Sequence, residues 1–388
     1  MSTPANRVAT FGTTIFTEIN MLAQQYNALN LGQGKPDFDA PPDVIAKMVE
    51  ALQAGKYNQY APGPGSVTLR KAVADHAARF YNMDIDPVNG VVVTSGASEG
   101  LFASIMGLVD PGDEVIVIEP YYDLYVPAII MANAVPVYVP LHPPTWTFDP
   151  DELRAAFSKK TRALFLNTPQ NPTGRVFSRQ ELTLIADLCI EHDVTVISDE
   201  AYEHLTFADA QHIPIATLPG MFERTVTVSS GGKSFNATGW KIGWVYGPPN
   251  LVDGVGRAHQ FIPFAVHYPA QEAIAYALNL PDTYFAEFKA MYETKCQLLM
   301  SALESSGLKY VAPKGTYFIM ADFSDVFAGT PVEFTRHLIT EIGVACIPPD
   351  SFYSQEHVHL CRNYVRFAFC KSDEMLRQVK ERLAKLRN

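Results

Sequence analysis

The sequence predicts an α/β protein in which a mostly parallel sheet of seven strands lies between helices, with a smaller α+β domain beside it. From Gly90 to about Tyr246, short β-branched runs alternate with longer helical periodicity, as expected of a parallel sheet covered by helices. With 388 residues, the chain is long enough for a large domain and a smaller companion. The predicted strands are residues 91–94, 114–119, 135–139, 163–167, 194–198, 225–229 and 242–246, with helices such as 98–108 and 178–192 between them.

The two ends of the chain differ from this central region. Residues 1–47 are rich in loops, and residues 284–388 have the pattern of helix, short strands and a charged C-terminal helix. We expect the short strands at residues 317–321 and 364–369. The two end segments are therefore predicted to form the small domain together, and residues 48–283 to form the large domain.

Composition excludes several classes of function. Apolar residues make up 47% of the chain and charged residues 18%, which is typical of a globular protein. A formal net charge of -11 argues against a nucleic-acid partner, because phosphate contacts need a basic face, so small molecules are the expected partners. No apolar run reaches the roughly 18–20 residues of a membrane span, and the N-terminus lacks a signal-peptide pattern, which predicts a cytoplasmic location. The five cysteines have no metal-ligand spacing, and no metal site is expected.

The strongest local motif is the segment 229–235, Ser-Ser-Gly-Gly-Lys-Ser-Phe, directly after a predicted strand. Its small residues leave room around Lys233. An amine held there could form an imine with an aldehyde cofactor, and burial or the nearby Lys241 would lower its pKa. The alternative is a solvated lysine beside a flexible glycine pair.

A second motif places Asp199 and Tyr202 at the end of the apolar strand 194–198. Ligands bind at the carboxyl ends of strands in open α/β sheets. A buried carboxylate there could keep a pyridine nitrogen protonated, and the phenol three residues later could reach the ring oxygen. The alternative is an aspartate that caps the next helix.

A third motif, residues 167–174, follows another predicted strand and contains Asn171 before Pro172. Proline and glycine predict a rigid turn, and a residue before proline is biased toward an extended conformation that can project its side chain. An ordinary turn is the alternative interpretation.

A fourth motif, residues 94–100, connects a strand to a helix and contains Ala97 and Ser98. The free backbone N–H groups and the dipole at the start of a helix favour a phosphate. The segment lacks the lysine of a P-loop, and glycine-rich turns are common, so it is a weak signal by itself.

Together and in this order, the four motifs resemble the class I and II aminotransferases, which are pyridoxal-phosphate (PLP) enzymes of fold type I. The similarity runs from about residue 30 to the C-terminus. It is closest to the kynurenine, glutamine and methionine aminotransferase branch, through residues 30–34, 237–241 and 343–348. The resemblance implies the same fold, a PLP cofactor and amino-group transfer.

The resemblance also implies the catalytic roles of four side chains. Lys233 is expected to form a Schiff base with the cofactor and to move the proton between the substrate Cα and the cofactor. Asp199 is expected to pair with the pyridinium nitrogen, while Tyr202 and Asn171 hydrogen-bond the ring oxygen.

By the same resemblance, the cofactor phosphate lies on the backbone N–H groups of Ala97 and Ser98, the hydroxyl of Ser230 and the ammonium of Lys241. Lys241 stands where many relatives have arginine, and it keeps the positive charge without the planar fork. Tyr122 is expected to stack on the pyridine ring, although ordinary packing would also explain a tyrosine in this turn.

Arg366 corresponds to the arginine that binds the substrate α-carboxylate, because a guanidinium matches a planar anion bidentately. An arginine among apolar and aromatic neighbours needs an anion, and a buried salt bridge within the protein is the alternative. Gly34 and Asn171 are expected to line the same carboxylate site, with Phe16 close to the substrate.

Tyr60 matches a tyrosine that, in family members, binds the cofactor phosphate in the active site of the neighbouring subunit. The resemblance therefore implies a two-fold homodimer whose active sites lie at the subunit interface.

The expected reaction is transfer of the amino group of an L-amino acid to a 2-oxo acid by a ping-pong mechanism. The branch favours aromatic, methionine-like or glutamine-like donors. An apolar wall for such donors could come from Tyr121, Phe261, Phe264 and Phe352, although each of these could equally belong to the core.

Three other functions are considered. C–S lyases and aminocyclopropane carboxylate synthases use the same lysine, aspartate, tyrosine and arginine on this fold. An aspartate- or glutamate-type aminotransferase would give Lys35 a role in binding an acidic side chain, although a solvated lysine is more common. A non-enzymatic, aminotransferase-like regulator is disfavoured because Lys233 is intact and no DNA-binding segment is appended.

Overall fold

The computed structural model describes residues 4–9, 11–12 and 14–387. In this part of the chain the strands are β1 Leu29–Asn30, β2 Val91–Ser95, β3 Glu114–Glu119, β4 Val135–Pro140, β5 Thr161–Asn167, β6 Thr195–Asp199, β7 Thr225–Ser230, β8 Ile242–Tyr246, β9 Lys309–Tyr310, β10 Phe318–Asp322, β11 Val344–Ala345 and β12 Tyr364–Ala368. The α-helices are α1 Ile15–Gln25, α2 Pro42–Gln53, α3 Val67–Tyr81, α4 Gly96–Leu108, α5 Tyr125–Met131, α6 Pro150–Ala155, α7 Arg179–Glu191, α8 Gly231–Ser234, α9 Pro249–Phe261, α10 Tyr268–Leu278, α11 Asp282–Ser306, α12 Pro331–His337 and α13 Asp373–Leu383.

The central sheet has seven strands among the described residues, in the order β2-β8-β7-β6-β5-β3-β4. Strand β8 runs antiparallel to both of its neighbours, and the other neighbouring pairs are parallel. Every strand predicted for this region is present within two residues at either end. The mostly parallel α/β sheet predicted from the sequence is confirmed.

Both faces of the central sheet are covered, which explains why its strands are apolar on both sides. In β3, Ile116 and Ile118 belong to one buried cluster, whereas Val115 and Val117 belong to another. Alternate residues of a strand point to opposite faces, so these two clusters lie on opposite sides of the sheet.

Helix α7 shows how local sequence sets an element's bounds. Its first residue follows Ser178, whose hydroxyl accepts a hydrogen bond from the backbone of Glu181 while the Glu181 side chain accepts one from Ser178. This capping box satisfies the free donors at the start of the helix. The predicted helix at 178–192 is therefore confirmed to within one residue at each end.

The smaller sheets lie outside the central one. Strands β9, β10 and β12 form an antiparallel sheet in the order β12-β10-β9, and β1 pairs with β11 in parallel. Strands were predicted at 317–321 and 364–369, and β10 and β12 match them within one residue. The domain boundaries after residues 47 and 283 stay a prediction. Among the described residues, no helix combines the length and the apolar character needed to cross a bilayer.

The sheet topology brings the four sequence motifs to one edge. Strands β5, β6 and β7 are parallel neighbours, so the segments that follow them emerge side by side. Because β8 is antiparallel, its first residue, Ile242, pairs with the last residue of β2, Ser95, at that same edge. Lys241 and the start of α4 therefore meet next to the ends of β5, β6 and β7.

Candidate active site

A cavity of about 140 Å³ opens at this edge of the sheet. Its lining includes every side chain that the sequence assigned to cofactor binding except Tyr60. The lining residues are Gly96, Ala97, Ser98, Leu101, Tyr122, Asn167, Asn171, Asp199, Ala201, Tyr202, Ser230, Gly232, Lys233, Thr238 and Lys241.

Lys233 lies in the one-turn helix α8, which starts directly after β7. Its amine donates a hydrogen bond of 3.0 Å to the hydroxyl of Tyr317. Burial in the cavity, together with a smaller contribution from the positive charge of Lys241, lowers the pKa of Lys233 to about 8. A substantial fraction of this amine is therefore neutral near physiological pH, as a nucleophile or a base requires.

Asp199 is the last residue of β6 and is 5% exposed. Its carboxylate accepts hydrogen bonds from Tyr125 Oη at 2.7 Å and from the backbone N–H of Ala201 at 3.2 Å. Burial raises the pKa of Asp199 to about 6, because the charged form is poorly solvated there. The hydrogen bond from Ala201 shows that Asp199 also caps the turn after β6. A cationic ring nitrogen in the cavity would in addition give the buried carboxylate a charged partner.

Tyr202 and Asn171 occupy the same cavity. The Tyr202 ring meets the Tyr317 ring edge-on, with 5.2 Å between centroids. The backbone N–H of Asn171 donates 2.8 Å to Asn167 Oδ1, which fixes the turn after β5. Both residues line the cavity, so the Tyr202 hydroxyl and the Asn171 side-chain amide N–H groups can donate hydrogen bonds to a ring oxygen there.

At the other end of the cavity, the start of α4 faces Lys241. Lys241 Nζ lies 3.5 Å from Ser98 Oγ, and a Cβ added to Gly96 would approach Lys241 Nζ at 3.3 Å. A Cβ on Gly243 would lie only 2.5 Å from the carbonyl carbon of Gly96, so glycine is needed for the two backbones to approach this closely.

Helix α4 also supplies free N–H groups at its first turn, since no side chain caps it. The Ser230 hydroxyl, which accepts from the Gly232 backbone at 3.1 Å, lines the same end of the cavity. A helix N-terminus, an ammonium and a hydroxyl together fit a phosphate.

Arg366 is 2% exposed, in the middle of β12. Its Nη1 donates 2.8 Å to Asn171 Oδ1 and its Nη2 donates 2.9 Å to the Gly32 carbonyl, while Nε has no partner among the described residues. Its guanidinium carbon lies 4.1 Å from the centroid of the Phe318 ring.

Arg366 does not form the buried salt bridge that was the alternative interpretation of its position. In the described part of the chain, no carboxylate oxygen lies within 4.0 Å of its guanidinium nitrogens. Burial lowers the pKa of Arg366 to about 10, which still leaves the side chain positively charged at neutral pH. A buried and unpaired cation of this kind can bind a carboxylate.

The remaining sequence candidates fall in two places. Gly34 accepts a hydrogen bond of 2.8 Å from Tyr317, and a Cβ at Gly34 would lie 2.8 Å from the Tyr317 and Phe318 rings. The Phe16 ring lies 5.3 Å from the guanidinium carbon of Arg366. Tyr60 is separate from this group, because it is 82% exposed and does not line the cavity of its own chain.

Sequence reasoning missed Tyr317, Tyr125, Asn167 and Thr238. The first contacts Lys233, the second contacts Asp199, and the other two line the cavity. Asn167 and Thr238 lie inside quoted motifs and could have been singled out by their position. Tyr317 and Tyr125 have no such local signal, because each reaches the site from a different element.

His76, Glu203 and His204 form a buried cluster of metal-binding residue types near the site. The two imidazole Nε2 atoms are 2.8 Å apart. Two nitrogens bound tetrahedrally to one zinc ion would be about 3.3 Å apart. Glu203 also accepts hydrogen bonds of 2.6 Å from Tyr81 and from Ser229. We interpret the cluster as a hydrogen-bonded network.

Comparison with known proteins agrees with this geometry. Residues 26–383 match the family model for aminotransferase class I and II. The chain is 40% identical to kynurenine–oxoglutarate transaminase of Dictyostelium discoideum, covering 99% of this chain and 96% of the relative. It is 42% identical to a probable N-succinyldiaminopimelate aminotransferase of Mycobacterium tuberculosis, over 98% of each chain.

Solved structures show the same likeness. The N-succinyldiaminopimelate aminotransferase from Mycobacterium tuberculosis superimposes with a TM-score of 0.95 at 42% identity, covering 99% of this chain and 100% of that one. YbdL from Escherichia coli, described as having a methionine aminotransferase function, superimposes with a TM-score of 0.95 at 37% identity, again covering 99% and 100%.

The fold and the cavity thus define a PLP-dependent enzyme that acts on amino groups. The chain belongs to the class I and II aminotransferase family. The fold type expected from the sequence motifs is confirmed, as are the aminotransferase class and the PLP cofactor.

Proposed function

We propose that this aminotransferase moves the amino group of an L-amino acid with an aromatic, methionine-like or glutamine-like side chain to a 2-oxo acid, by a ping-pong mechanism. One observation carries the proposal: among the described residues, no carboxylate oxygen lies within 4.0 Å of the Arg366 guanidinium nitrogens, and the guanidinium lies among the rings of Phe16, Phe318 and Phe352. A cation that binds the α-carboxylate within an aromatic surround suits a donor with an apolar side chain.

The kynurenine and methionine relatives support this range of donors, whereas N-succinyldiaminopimelate, whose side chain carries further carboxylates, lies outside it. Their names include kynurenine, N-succinyldiaminopimelate and methionine aminotransferases. These donors share an α-amino acid group and differ in the remainder of the side chain. The carboxylate site around Arg366 is therefore the part that we expect to be common to all of them.

The residues of the cavity fit PLP. Among the described residues, the buried Asp199 carboxylate has no cationic nitrogen within 4.0 Å, and the start of α4 with Lys241 and Ser230 forms a phosphate cradle. When bound, PLP supplies an aldehyde that takes up the amino group and a ring that accepts electron density from the substrate Cα.

The chain's own groups then have distinct tasks. Lys233 moves the proton at the substrate Cα, since its lowered pKa makes the neutral amine available as a base. Asp199 holds a proton on the ring nitrogen, while Tyr202 and Asn171 donate to the ring oxygen. Arg366 orients the substrate through its carboxylate.

Other residues complete the proposed site. Ala97, Ser98, Ser230 and Lys241 hold the phosphate, and Tyr122 packs against the ring. Gly34 leaves room beside Tyr317 for the carboxylate end of the substrate.

We also propose a homodimer in which Tyr60 reaches the phosphate of the partner subunit. Tyr60 contacts Phe264 edge-on at 5.5 Å on the surface, and Phe261 nearby is 86% exposed. Large exposed aromatic side chains of this kind are typical of an interface. A dimer would place Phe261 and Phe264 in contact with a second copy. The other two aromatic candidates, Phe352 and Tyr121, are buried within their own chain. The cytoplasmic location stays a prediction from the sequence.

The role of Lys35 stays a hypothesis for an acidic donor. Its side chain is exposed, and its backbone carbonyl accepts a hydrogen bond of 2.7 Å from Lys371. If Lys35→Ala leaves the ratio of acidic to aromatic turnover unchanged, Lys35 has no part in donor choice.

The decisive experiment is a donor screen with the PLP-loaded enzyme. Each amino acid is first supplied without acceptor, and we expect about one 2-oxo acid per site and no ammonia. Addition of a series of 2-oxo acids should then restore the starting absorbance. Continuous ammonia release would instead identify a C–S lyase type of reaction, and exclusive use of aspartate or glutamate would overturn the proposed donor class.

A further inference from the structure

Glu119 is a fully buried carboxylate that the reaction described above does not use. It ends β3, one residue before the turn that carries Tyr121 and Tyr122, and it is 0% exposed. A buried carboxylate is costly unless it is hydrogen-bonded. Its partners therefore show what it does.

All side-chain hydrogen bonds of Glu119 come from one distant loop. His357 Nδ1 lies 2.5 Å from Glu119 Oε2, and Ser354 Oγ donates to that same oxygen at 3.2 Å. The backbone N–H of Ser354 donates to Oε1. When Glu119 is ionised, its carboxylate can only accept, and this contact then requires the proton of His357 on Nδ1. Burial raises the pKa of Glu119, and the donors from Ser354 and His357 oppose that rise.

The same loop is tied to the next turn of the chain by its backbone. The N–H of Tyr121 donates 2.9 Å to the carbonyl of Phe352. Two further buried polar atoms of the loop, Asp350 Oδ2 and Tyr353 Oη, have no hydrogen-bond partner among the described residues. These two atoms add no hydrogen bond to the rest of the described chain, so the polar ties of the loop to β3 and the turn after it are those to Glu119 and Tyr121, beside the packing of Phe352 and Tyr353 in the core.

Phe352 links this loop to the substrate site. It is 1% exposed, its ring centroid lies 5.2 Å from the guanidinium carbon of Arg366, and it lies 5.9 Å from the ring of Phe16. Phe352 thus lies two residues before a loop residue bound by Glu119 and directly beside the proposed carboxylate site. A shift of the loop would move this ring relative to Arg366.

We propose that Glu119, through Ser354 and His357, is a positioning residue for donor specificity, because it fixes Phe352 as the wall that contacts an apolar donor side chain. This inference rests on the proposed function for the identity of the donor. Glu119 touches neither substrate nor cofactor, and acts through the loop. A displacement near 1 Å can change a rate by about 10²-fold, so such a tie can be decisive.

The test compares Glu119→Gln, His357→Gln and Phe352→Leu, with the double variant Glu119→Gln/Phe352→Leu. The carboxylate Ki is measured for two unreactive probes, 3-phenylpropionate and propionate, in the PLP-loaded enzyme. Both probes carry the same carboxylate, so the ratio of their affinities reports the contribution of the phenyl ring of 3-phenylpropionate. We expect each single variant to lower this ratio by about tenfold, the effect of losing one hydrogen bond in Glu119→Gln or His357→Gln and of losing the aromatic contact in Phe352→Leu. The KM for an aromatic donor should rise with little change in kcat.

The double variant identifies the route of the effect. In the Phe352→Leu background, Glu119→Gln should change the ratio no further, because the ring that it positions is gone. The matched control is His212→Gln, which removes a buried imidazole 2.7 Å from the carboxylate of Glu200. It should lower the melting temperature while leaving the ratio unchanged. His357 has a side chain that is 16% exposed, so His357→Gln tests the idea even if Glu119→Gln fails to fold.

Two results would overturn the proposal. One is a loss of melting temperature in Glu119→Gln and His357→Gln with an unchanged probe ratio, since that would mean a purely structural role. The other is an equal effect of Glu119→Gln with and without Phe352. Failure of the wild-type enzyme to use aromatic donors is a separate outcome that contradicts the proposed function. The unreactive probes still test in that case whether Glu119 positions Phe352.

Discussion

The amine of Lys233 donates a hydrogen bond of 3.0 Å to the hydroxyl of Tyr317, and this hydroxyl donates one of 2.8 Å to the carbonyl of Gly34. The two residues are 84 positions apart in the chain. Tyr317 thus connects the proposed catalytic amine to the loop beside the carboxylate site. The residue before it, Thr316, has φ of 64°, a backbone conformation that is rare for a β-branched residue. Rare backbone conformations of this kind cluster at functional sites.

Replacing Tyr317 by Phe should lower kcat by about tenfold, because the amine of Lys233 loses the acceptor that orients it. Tyr292→Phe is the matched control, since that hydroxyl donates 2.7 Å to Asn236 in the same aromatic cluster without touching Lys233. Steady-state kinetics and melting temperatures should be measured for both. Equal losses of kcat in the two variants would show that Tyr317 has no specific role.

Lys233→Ala should abolish amino transfer, with a loss of about 10³-fold or more, since it removes both the nucleophile and the proton carrier. The circular dichroism spectrum should stay that of the folded protein. Lys314→Ala, at a side chain that is 58% exposed, should keep wild-type activity. Single-turnover release of 2-oxo acid is the measurement, and turnover by Lys233→Ala within tenfold of wild type would contradict the assigned role.

Asp199→Asn should separate stability from activity. The folded pKa of Asp199 is about 6, above its ordinary value of 3.8, so the wild-type cofactor-free protein loses stability as the pH rises through this window. At pH 7.5 the asparagine variant should be more stable by about 1–3 kcal/mol, and the difference should vanish near pH 4.

Transamination by Asp199→Asn should fall by about 10²-fold, because the ring nitrogen loses its anionic partner. Urea unfolding of the cofactor-free protein at both pH values checks the stability part. Asp193→Asn, at a side chain that is 91% exposed, is the control. A less stable Asp199→Asn protein at pH 7.5 would show that its hydrogen bonds outweigh its buried charge.

Arg366→Lys should raise the KM of every donor by about 10²-fold while kcat changes less, because lysine cannot present a planar fork to a carboxylate. The guanidinium also lies 4.1 Å from the Phe318 ring, a contact that lysine would not reproduce. Arg362→Lys, on the exposed side of the same region, should leave KM unchanged. An unaltered KM in Arg366→Lys would mean that the substrate carboxylate binds elsewhere.

Mixed dimers should show in which subunit Tyr60 acts. A hybrid of one Tyr60→Phe protomer and one Lys233→Ala protomer contains one intact site if Tyr60 serves its partner. PLP titration of purified hybrids should then give one site with wild-type cofactor affinity and activity. If Tyr60 acts within its own chain, the same hybrid would have no intact site and its PLP affinity would match that of the Tyr60→Phe homodimer.

The sequence by itself determined the parts of the protein that depend on local pattern. The strands of the central sheet follow from apolar runs bounded by turns, and the motifs around Lys233, Asp199, Asn171 and Ser98 follow from the residues next to them. Because β5, β6 and β7 are parallel neighbours, the motifs around Asn171, Asp199 and Lys233 meet at one edge of the sheet, and the pairing of β2 with β8 brings the Ser98 motif to the same edge.

Only the tertiary structure decided which distant side chains complete the site. The Tyr317 hydroxyl contacts Lys233 across 84 positions of the chain, and the Tyr125 hydroxyl contacts Asp199 across 74. Glu119 contacts His357 across 238 positions. No periodicity or short motif encodes such contacts, because they depend on how separate elements pack against one another. Arg366 shows both cases: its residue type predicted an anion, whereas its packing showed that no carboxylate in the described part of the chain pairs with it.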